Sequence, residues 1–443
     1  MAETSHARLP GAPIERGAIV ARLASILDLV ERNLARIDRY LPYWRKLDDA
    51  HPNRVGRLED KVASEHCLLL LLVARVPLEF HSDLTKSVDQ ISAHLQPFVR
   101  NERFKIEILK NPEKAAVFGL GHLYLTYAGY REPEWDEIVI PSLRDGFAEA
   151  RDLAPNRILE RLWALELAGL EVDPARVRQA ARLSIAAGRA HPILMSHDDA
   201  YAYTHCLMYA TDFGRRSLDR FLDHGRVSEV VGASLAWMLV EPDFDLLAEF
   251  LLCETFVKPT WSDQARVAWR TLLEVWDRLG FIPGPTFDET SFLELAGDDR
   301  RAYAFKEMYH ANIVVAALCC SLLGDQLGRP VPTRVGPTPD MGAGDEHDAE
   351  LLTRALARCR RLRGLADGQT APWELVVADG DLRIEVVRTL VEAAAIHALR
   401  SGDAGEAWEA VADLRASGFA GRTLAETSEQ LVRLERAARA RAR

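Results

Sequence analysis

The chain has 443 residues, 48% of them hydrophobic, and a formal net charge of −11 at pH 7. This composition supports a large buried core, and the acidic balance argues against a general nucleic-acid-binding protein, which usually carries a basic excess. The six cysteines form no short-spaced disulfide framework and no CxxC phrase, so a reducing, cytoplasmic location is expected. No signal peptide is recognisable, and the longest apolar run, residues 67–76, is about half of a membrane span.

Apolar residues recur at the helical spacing i, i+3, i+4 and i+7 in nearly every segment. Alternating runs typical of strands are almost absent, and residues 373–377 are the only brief strand-like stretch. We therefore predict an all-α fold. Between residues 155 and 324 the helices form antiparallel pairs with short loops, and such pairs stack as a solenoid or close into an α/α toroid.

Breaker residues divide the chain into four predicted regions. Residues 1–150 form an N-terminal helical region, and residues 151–324 form the body of helical pairs that holds the candidate site. Residues 325–345 are rich in proline and glycine, so we predict an extended linker there. Residues 346–443 are expected to form a C-terminal helical segment.

The segment 198–214 is predicted to be a helix with reactive groups but no lysine, arginine or glutamate. Residues three and four apart share a helix face, which aligns Tyr201, His205, Tyr209 and Asp212. A buried polar group without a partner costs about 1–3 kcal/mol. So many polar groups on one otherwise apolar helix therefore favour a functional site over packing alone.

Each of these residues has a predicted role. We expect His205 to be a general base or a metal ligand, although a hydrogen-bonded core histidine is the alternative. Asp212 or Asp199 would orient this imidazole, and Tyr201 and Tyr209 would position a substrate. For Asp199 the other interpretation is a helix cap.

Two further helices carry carboxylates at helical spacing. Glu307 and His310 share a face of a largely apolar helix, three residues apart. Asp245 and Glu249 lie one turn apart in another apolar helix. Paired carboxylates bind Mg²⁺, act as acid and base, or pair with arginine, and the sequence leaves these alternatives open.

A two-histidine, two-carboxylate set is the candidate for an iron or zinc site. It consists of His205, His310, Glu249 and Glu307. Cysteine thiolates are the alternative donors, at Cys206, Cys253 and Cys319. Spacing alone determines none of the distances between these groups.

Two phrases resemble a family of uncharacterised helical proteins from actinobacteria, over roughly residues 150–324. They are Tyr201-x-x-Thr204-His205-x-x-x-Tyr209-x-Thr211-Asp212-Phe213-Gly214 and Tyr309-His310. That family has no established activity, so the resemblance implies only that the two histidine-bearing helices belong together.

The stacked helical pairs are also similar in outline to α/α-toroid cyclases, namely terpenoid and lanthionine cyclases. The Asp-x-Asp-Asp motif of terpenoid cyclases is absent, because Asp243-x-Asp245 is followed by Leu246. The cysteine and Cys-His zinc phrase of lanthionine cyclases is matched only by Cys253 and His205-Cys206. This likeness concerns the fold and says little about function.

These patterns predict an enzyme of specialised metabolism that performs acid–base or metal-assisted cyclisation or elimination in a helical cavity. The substrate would be a small molecule or a peptide, with no nucleic-acid or membrane partner. Hydride transfer is not expected, because no dinucleotide-binding GxGxxG phrase occurs. Walker, HExxH and GxSxG phrases are absent as well. The alternative is a non-catalytic scaffold for a peptide or protein, which predicts that His205 and His310 lie far apart.

Overall fold

The computed structural model describes most of the chain. It covers residues 16–50, 57–77, 80–144, 153–188, 190–241, 243–258, 260–324, 345–362, 364, 371–377, 383–417, 429–433 and 436. All regular structure in these residues is helical, with no strand among them, which confirms the predicted all-α class. The predicted linker falls almost entirely on residues 325–344, outside the described residues.

Twenty α-helices occur in the described residues. In chain order they are α1 (Arg16–Leu34), α2 (Ile37–Ala50), α3 (Leu58–Val73), α4 (His81–Val99), α5 (Glu102–Lys110), α6 (Ala115–Phe118), α7 (Leu120–Tyr127), α8 (Pro133–Arg144), α9 (Pro155–Leu167), α10 (Pro174–Leu183), α11 (His197–Ala210), α12 (His224–Val240), α13 (Phe244–Val257), α14 (Asp263–Leu279), α15 (Glu289–Glu294), α16 (Gly297–Leu323), α17 (Asp345–Leu362), α18 (Pro372–Val377), α19 (Arg383–Ser401) and α20 (Ala404–Ala416).

Local side-chain caps divide some segments that the periodicity predicts as single helices. The pattern predicts one helix over residues 83–109, whereas the chain leaves α4 at Arg100 and restarts at α5. The Asn101 side chain accepts a hydrogen bond from the backbone N–H of Phe104 at 2.9 Å and so begins α5.

The strand-like stretch 373–377 is helical, so that prediction is wrong. These residues form α18, which packs on α14 and α19. Trp373 and Val376 lie three residues apart and are both buried, as one face of a helix requires. Glu374 accepts a hydrogen bond from the backbone N–H of Ala371 at 2.8 Å, which caps the start of the helix. Tertiary packing therefore outweighs the β propensity of this short run.

Six helices contact one another in a closed cycle. Each helix contacts the next in the order α3, α7, α9, α11, α13 and α16, and α16 contacts α3 again. Several other helices pack on these six: α1 and α2 against α16, α4 against α3 and α7, α10 against α9 and α11, and α12 and α14 against α13. Each helix of the cycle thus has partners both within the cycle and beyond it.

The C-terminal helices pack on the same body. Helix α19 contacts α12, α14, α17 and α20. His397 of α19 lies with its Nε2 3.2 Å from the carbonyl oxygen of Trp237, and Gln264 donates a hydrogen bond to Glu392 at 2.7 Å. Nowhere in the described ranges is a helix long and apolar enough to cross a bilayer.

Helix α13 shows how the packing constrains the site. It is contacted by α11, α12, α14 and α16, so almost all of its surface is covered, and it is correspondingly apolar all round. Asp245 and Glu249 are nevertheless buried on it, at 4% and 1% relative exposure. Carboxylates in such a place require partners, because burying an unpaired charge is costly.

Candidate functional site

The six helices of the cycle surround a cavity of about 870 Å³. A cavity of roughly 300–1,000 Å³ is typical of small-molecule sites. The polar residues of its lining are called the polar wall and are described below. The aliphatic and aromatic residues of its lining are called the apolar wall, and the main ones are Leu68, Leu72, Phe104, Phe118, Tyr124, Met208, Phe213, Leu252, Ile313 and Val314.

Helix α11 presents three of the predicted site residues to this cavity. Tyr201, His205 and Tyr209 line it at successive turns, as their spacing predicts. The helix begins with a capping box, in which Ser196 Oγ accepts from the Asp199 N–H at 3.1 Å and Asp199 Oδ2 accepts from the Ser196 N–H at 2.9 Å. Asp199 therefore caps α11 and is not brought to His205.

His310 of α16 lies among three carboxylates. Its Nδ1 is 2.9 Å from Oε2 of Glu65 on α3. On the opposite side of the ring, its Nε2 is 3.4 Å from Glu249 Oε1 and 3.7 Å from Asp245 Oδ2. Three helices of the cycle thus meet at one imidazole.

His205 reaches the same carboxylate from α11. Its Nε2 is 3.6 Å from Glu249 Oε1, while the Thr204 hydroxyl donates a hydrogen bond to Glu249 Oε2. The two histidines predicted to converge therefore share Glu249. Their side chains are 22% and 31% exposed, for His205 and His310 respectively, so the cavity gives access to both.

The two tyrosines bind carboxylates rather than each other. Tyr201 donates a hydrogen bond to Asp245 Oδ2 at 2.9 Å. Tyr209 donates to Glu160 Oε1 on α9 at 3.0 Å, and Arg157 bonds the second oxygen of that carboxylate at 2.7 Å. Both phenols therefore hold defined orientations along the polar wall.

Negatively charged carboxylates predominate around the two histidines and determine the direction in which their pKa values shift. Burial alone would lower the pKa of the His310 imidazole, but the facing carboxylates of Asp245 and Glu65 outweigh it and raise that pKa well above its usual range. Burial likewise acts to lower the pKa of His205, and the hydrogen bond and charge of Glu249 raise it overall. In return, burial acts to raise the pKa of Glu65, and the charge and hydrogen bond of His310 bring it down to about 2.

The pKa of Asp245 shifts in the opposite direction from the pKa of Glu65. Burial raises its pKa, the charge of His310 counters part of this rise, and the negative charge of Glu249 adds to it. Within the described residues, Asp245 Oδ1 is buried without a hydrogen-bond partner. This oxygen belongs to a residue that lines the cavity, and it is the least satisfied acceptor of the cluster.

Asp212 lies apart from the histidines, at the end of α11. Its Oδ1 accepts a hydrogen bond from Trp163 Nε1 at 2.6 Å and lies 2.9 Å from Nη2 of Arg75. Asp212 and Phe213 have left-handed backbones, with φ of 50° and 53°, which is uncommon for residues other than glycine. Asp212 therefore holds a tight turn that directs Phe213 to the cavity. It does not orient His205.

Glu307 faces the cavity, but its carboxylate already has hydrogen-bond partners. It accepts hydrogen bonds from the Thr286 hydroxyl and from Lys306. It is not among the donor atoms of Asp245, Glu249 and His310 that lie within 4.8 Å of one another. The structure therefore assembles three donors, which add Asp245 to the predicted set and leave out both Glu307 and His205.

The cysteines do not join the site. Cys206, Cys253 and Cys319 are fully buried and are not among the residues that line the cavity. Burial raises the pKa of Cys206 to about 11 and that of Cys319 to about 12, so both remain thiols at neutral pH. The structure offers no support for thiolate donors here.

Two acidic residues of the polar wall escaped the sequence reasoning. Glu65 and Glu160 were not predicted, because each looks like an ordinary charged position of an amphipathic helix. A signal existed for Glu65, which immediately precedes the apolar run 67–76 together with His66. This run is apolar except for Arg75, and charged groups at the start of such a buried segment are seldom left without a partner.

The comparisons with known proteins leave the activity open. No curated protein matches the chain, and no solved structure matches it. The model of a domain of unknown function, DUF6895, matches residues 23–320. This match spans the greater part of the chain and includes the whole polar wall, from Glu65 to His310. The chain therefore belongs to the DUF6895 family.

Proposed function

We propose that this protein is an enzyme of specialised metabolism that performs acid–base cyclisation or elimination on a small molecule held in the central cavity. The observation that carries the proposal is the convergence of two imidazoles on one buried carboxylate. His205 Nε2 and His310 Nε2 lie 3.6 Å and 3.4 Å from Glu249 Oε1. Proton-transfer groups held at the wall of a cavity are what such reactions require.

In this proposal His205 exchanges the proton with the substrate. Glu249 lies behind His205 and stabilises its protonated form, while Thr204 holds the far oxygen of that carboxylate. Asp212, which the sequence analysis gave an orienting role, bonds Trp163 and Arg75 instead. Glu249 therefore takes that role here.

The apolar wall supports a substrate with a hydrocarbon or aromatic body and one polar reacting end. The aromatic side chains of Phe118, Tyr124 and Phe213 are among the residues that line the cavity. They would bind the body by burial of apolar surface, at about 25 cal/mol per Å². Tyr201 and Tyr209 would then contact the polar end.

The alternative of a non-catalytic scaffold has less support. It predicts separate histidines, each hydrogen-bonded to a backbone carbonyl. His205 and His310 instead face the same carboxylate, and both line the cavity.

The arrangement of the helices around the cavity is also part of the proposal. We infer that the closed cycle of six helices is the inner layer of an α/α toroid, with the outer helices as its second layer. The actinobacterial origin and the cytoplasmic location rest on the sequence alone. The domain boundary at residue 150 stays a prediction, although helices from both sides of it line the cavity.

The proposal is tested by turnover in deuterated water. Purified protein is incubated with a small-molecule extract of cells that lack its gene, and mass spectrometry follows the compounds consumed and formed. Cyclisation gives an isomer, and elimination gives a product lighter by its leaving group. A cyclisation product that receives its proton through His205 would carry solvent deuterium.

His205→Gln is expected to abolish this conversion and leave the far-UV circular dichroism unchanged. His224→Gln is the matched control, because His224 begins α12 and is not among the cavity-lining residues. Equal conversion by the wild type and His205→Gln would contradict the proposal, as would loss of the fold in His205→Gln.

A further inference from the structure

We propose that Asp245, Glu249 and His310 bind one divalent transition-metal ion at the polar wall of the cavity. The inference concerns the site of the proposed function, but metal binding and turnover are measured separately. It keeps Glu249 and His310 from the predicted set, adds Asp245, and leaves out Glu307 and His205.

The spacing of the donors fits one ion. One ligand atom from each residue lies within 4.8 Å of the other two. His310 Nε2 is 3.4 Å from Glu249 Oε1 and 3.7 Å from Asp245 Oδ2. Two ligands bonded at about 2.1 Å to a tetrahedral ion lie roughly 3.4 Å apart. Little movement is needed for all three donors to contact the same cation.

The second observation is the free oxygen of Asp245. The Asp245 side chain is only 6% exposed, and in the described part of the chain its Oδ1 has no hydrogen-bond partner. Buried acceptors nearly always have a partner. A cation bound by both oxygens of this carboxylate would satisfy Oδ1, whereas a purely structural cluster would leave it unpaired.

The third observation is that each of the three donors has an outer partner. Glu65 lies 2.9 Å from His310 Nδ1, which leaves Nε2 directed at the two carboxylates. Thr204 bonds Glu249 Oε2, and Tyr201 bonds Asp245 Oδ2. Metal-binding histidines usually give their other nitrogen to a carboxylate or carbonyl, and ligating carboxylates are hydrogen-bonded in the same way.

The donor set indicates the class of ion. One imidazole with two carboxylates suits Zn²⁺, Fe²⁺ or Mn²⁺ better than Mg²⁺ or Ca²⁺, which prefer oxygen ligands alone. Three protein ligands leave a coordination position open, as in catalytic rather than structural metal sites. His205 lies beside Glu249 on the cavity side, next to the place where a substrate would complete the coordination.

The experiment is metal binding by the full chain. Protein is dialysed against EDTA and titrated with ZnCl₂ alone by isothermal titration calorimetry, with bound metal counted by mass spectrometry after equilibrium dialysis. We expect one Zn²⁺ per chain, bound about ten-fold or more tightly than Mg²⁺ because of the imidazole donor.

The variants separate ligands from neighbours. Asp245→Asn and His310→Gln are expected to lose at least 100-fold in Zn²⁺ affinity, and Glu65→Gln about 10–100-fold as the outer partner. Asp243→Asn is the matched control on the same helix. Asp243 caps α13 by accepting from the Leu246 N–H at 3.0 Å, and asparagine caps equally well, so its affinity should equal that of the wild type.

The inference is overturned if the wild type binds no stoichiometric Zn²⁺, if Mg²⁺ binds more tightly than Zn²⁺, or if Asp245→Asn and His310→Gln bind like Asp243→Asn. Circular dichroism checks that each variant is folded, and Glu65→Gln gives an independent answer if Asp245→Asn is not. His205→Gln should still bind the ion. If His205→Gln still converts the substrate, the proposed function is wrong, but the proposed metal site is unaffected.

Discussion

Two histidines of this protein, half-buried His310 and buried His122, each place both ring nitrogens against a partner, yet their pKa values shift in opposite directions. His310 faces Glu65 at one nitrogen and Glu249 and Asp245 at the other. His122 on α7 accepts a hydrogen bond from Arg100 Nε at 3.1 Å and faces Asp136 at 2.9 Å.

The difference lies in the surrounding charge. Burial and then the charge of Arg100 lower the pKa of His122, against the opposing effect of Asp136. His122 is neutral, with one nitrogen as acceptor and the other as donor, and its polar groups are satisfied. Around His310 carboxylates predominate, one acceptor lacks a partner, and a cavity adjoins the ring. A histidine–carboxylate pair alone therefore does not indicate a functional site; a pair with excess negative charge beside a cavity is the better candidate.

The largest expected effect is the loss of stability in Arg100→Met. Arg100 donates to His122 Nδ1 and to the carbonyl oxygen of Tyr130, and both acceptors would be left unpaired, at about 1–3 kcal/mol each. Urea unfolding should show a loss of about 2–4 kcal/mol. Arg131→Met, at an exposed arginine nearby, should change stability by less than about 0.5 kcal/mol. Equal losses in the two variants would contradict a structural role for the His122 cluster.

The next effect is acid sensitivity. Because the pKa of His122 is lowered in the folded state, the unfolded chain binds this proton more readily, and stability falls as the pH drops below the ordinary histidine value of about 6.5. His122→Gln can keep both hydrogen bonds without titrating. Relative to it, the wild type should lose about 1–2 kcal/mol between pH 7 and pH 5 in urea unfolding. A constant difference between the two proteins would show that His122 is not the titrating group.

An effect of similar size but opposite sign is expected at the cavity. In EDTA-treated protein, Asp245→Asn should raise stability by about 1–2 kcal/mol, because it removes a buried carboxylate oxygen that lacks a donor. Saturating Zn²⁺ should reverse the order, since only the wild type gains binding free energy. Thermal unfolding with and without metal measures both. A metal-free Asp245→Asn protein less stable than the wild type would contradict the view of Asp245 as an unsatisfied group.

The smallest effect concerns a residue that the sequence placed in the catalytic set. Asp199→Ala removes one half of the capping box with Ser196, at about 1 kcal/mol. Zn²⁺ affinity should be unchanged, because Asp199 does not line the cavity. Asp198→Ala, at the exposed neighbouring position, should have almost no effect on stability. A loss of metal affinity in Asp199→Ala would place this residue back in the site.

Helical periodicity predicted much of this arrangement. The i, i+4 spacing placed Tyr201, His205 and Tyr209 on one face of α11, and all three line the cavity. The same rule paired Asp245 with Glu249, but it did not indicate that Asp245 rather than Glu307 would lie beside His310. Both acidic residues sit at helical spacing from a candidate donor, and only the packing of α13 against α16 and the bonds of Glu307 to its neighbours distinguish them.

The sequence by itself determined the all-helical class and the polar face of α11, because both follow from spacing along the chain. Only the tertiary structure decided which partners meet. Glu65 and His310 are 245 positions apart, and they touch because α16 closes the cycle back onto α3. No local pattern encodes that closure, which comes from the burial of many apolar faces at once.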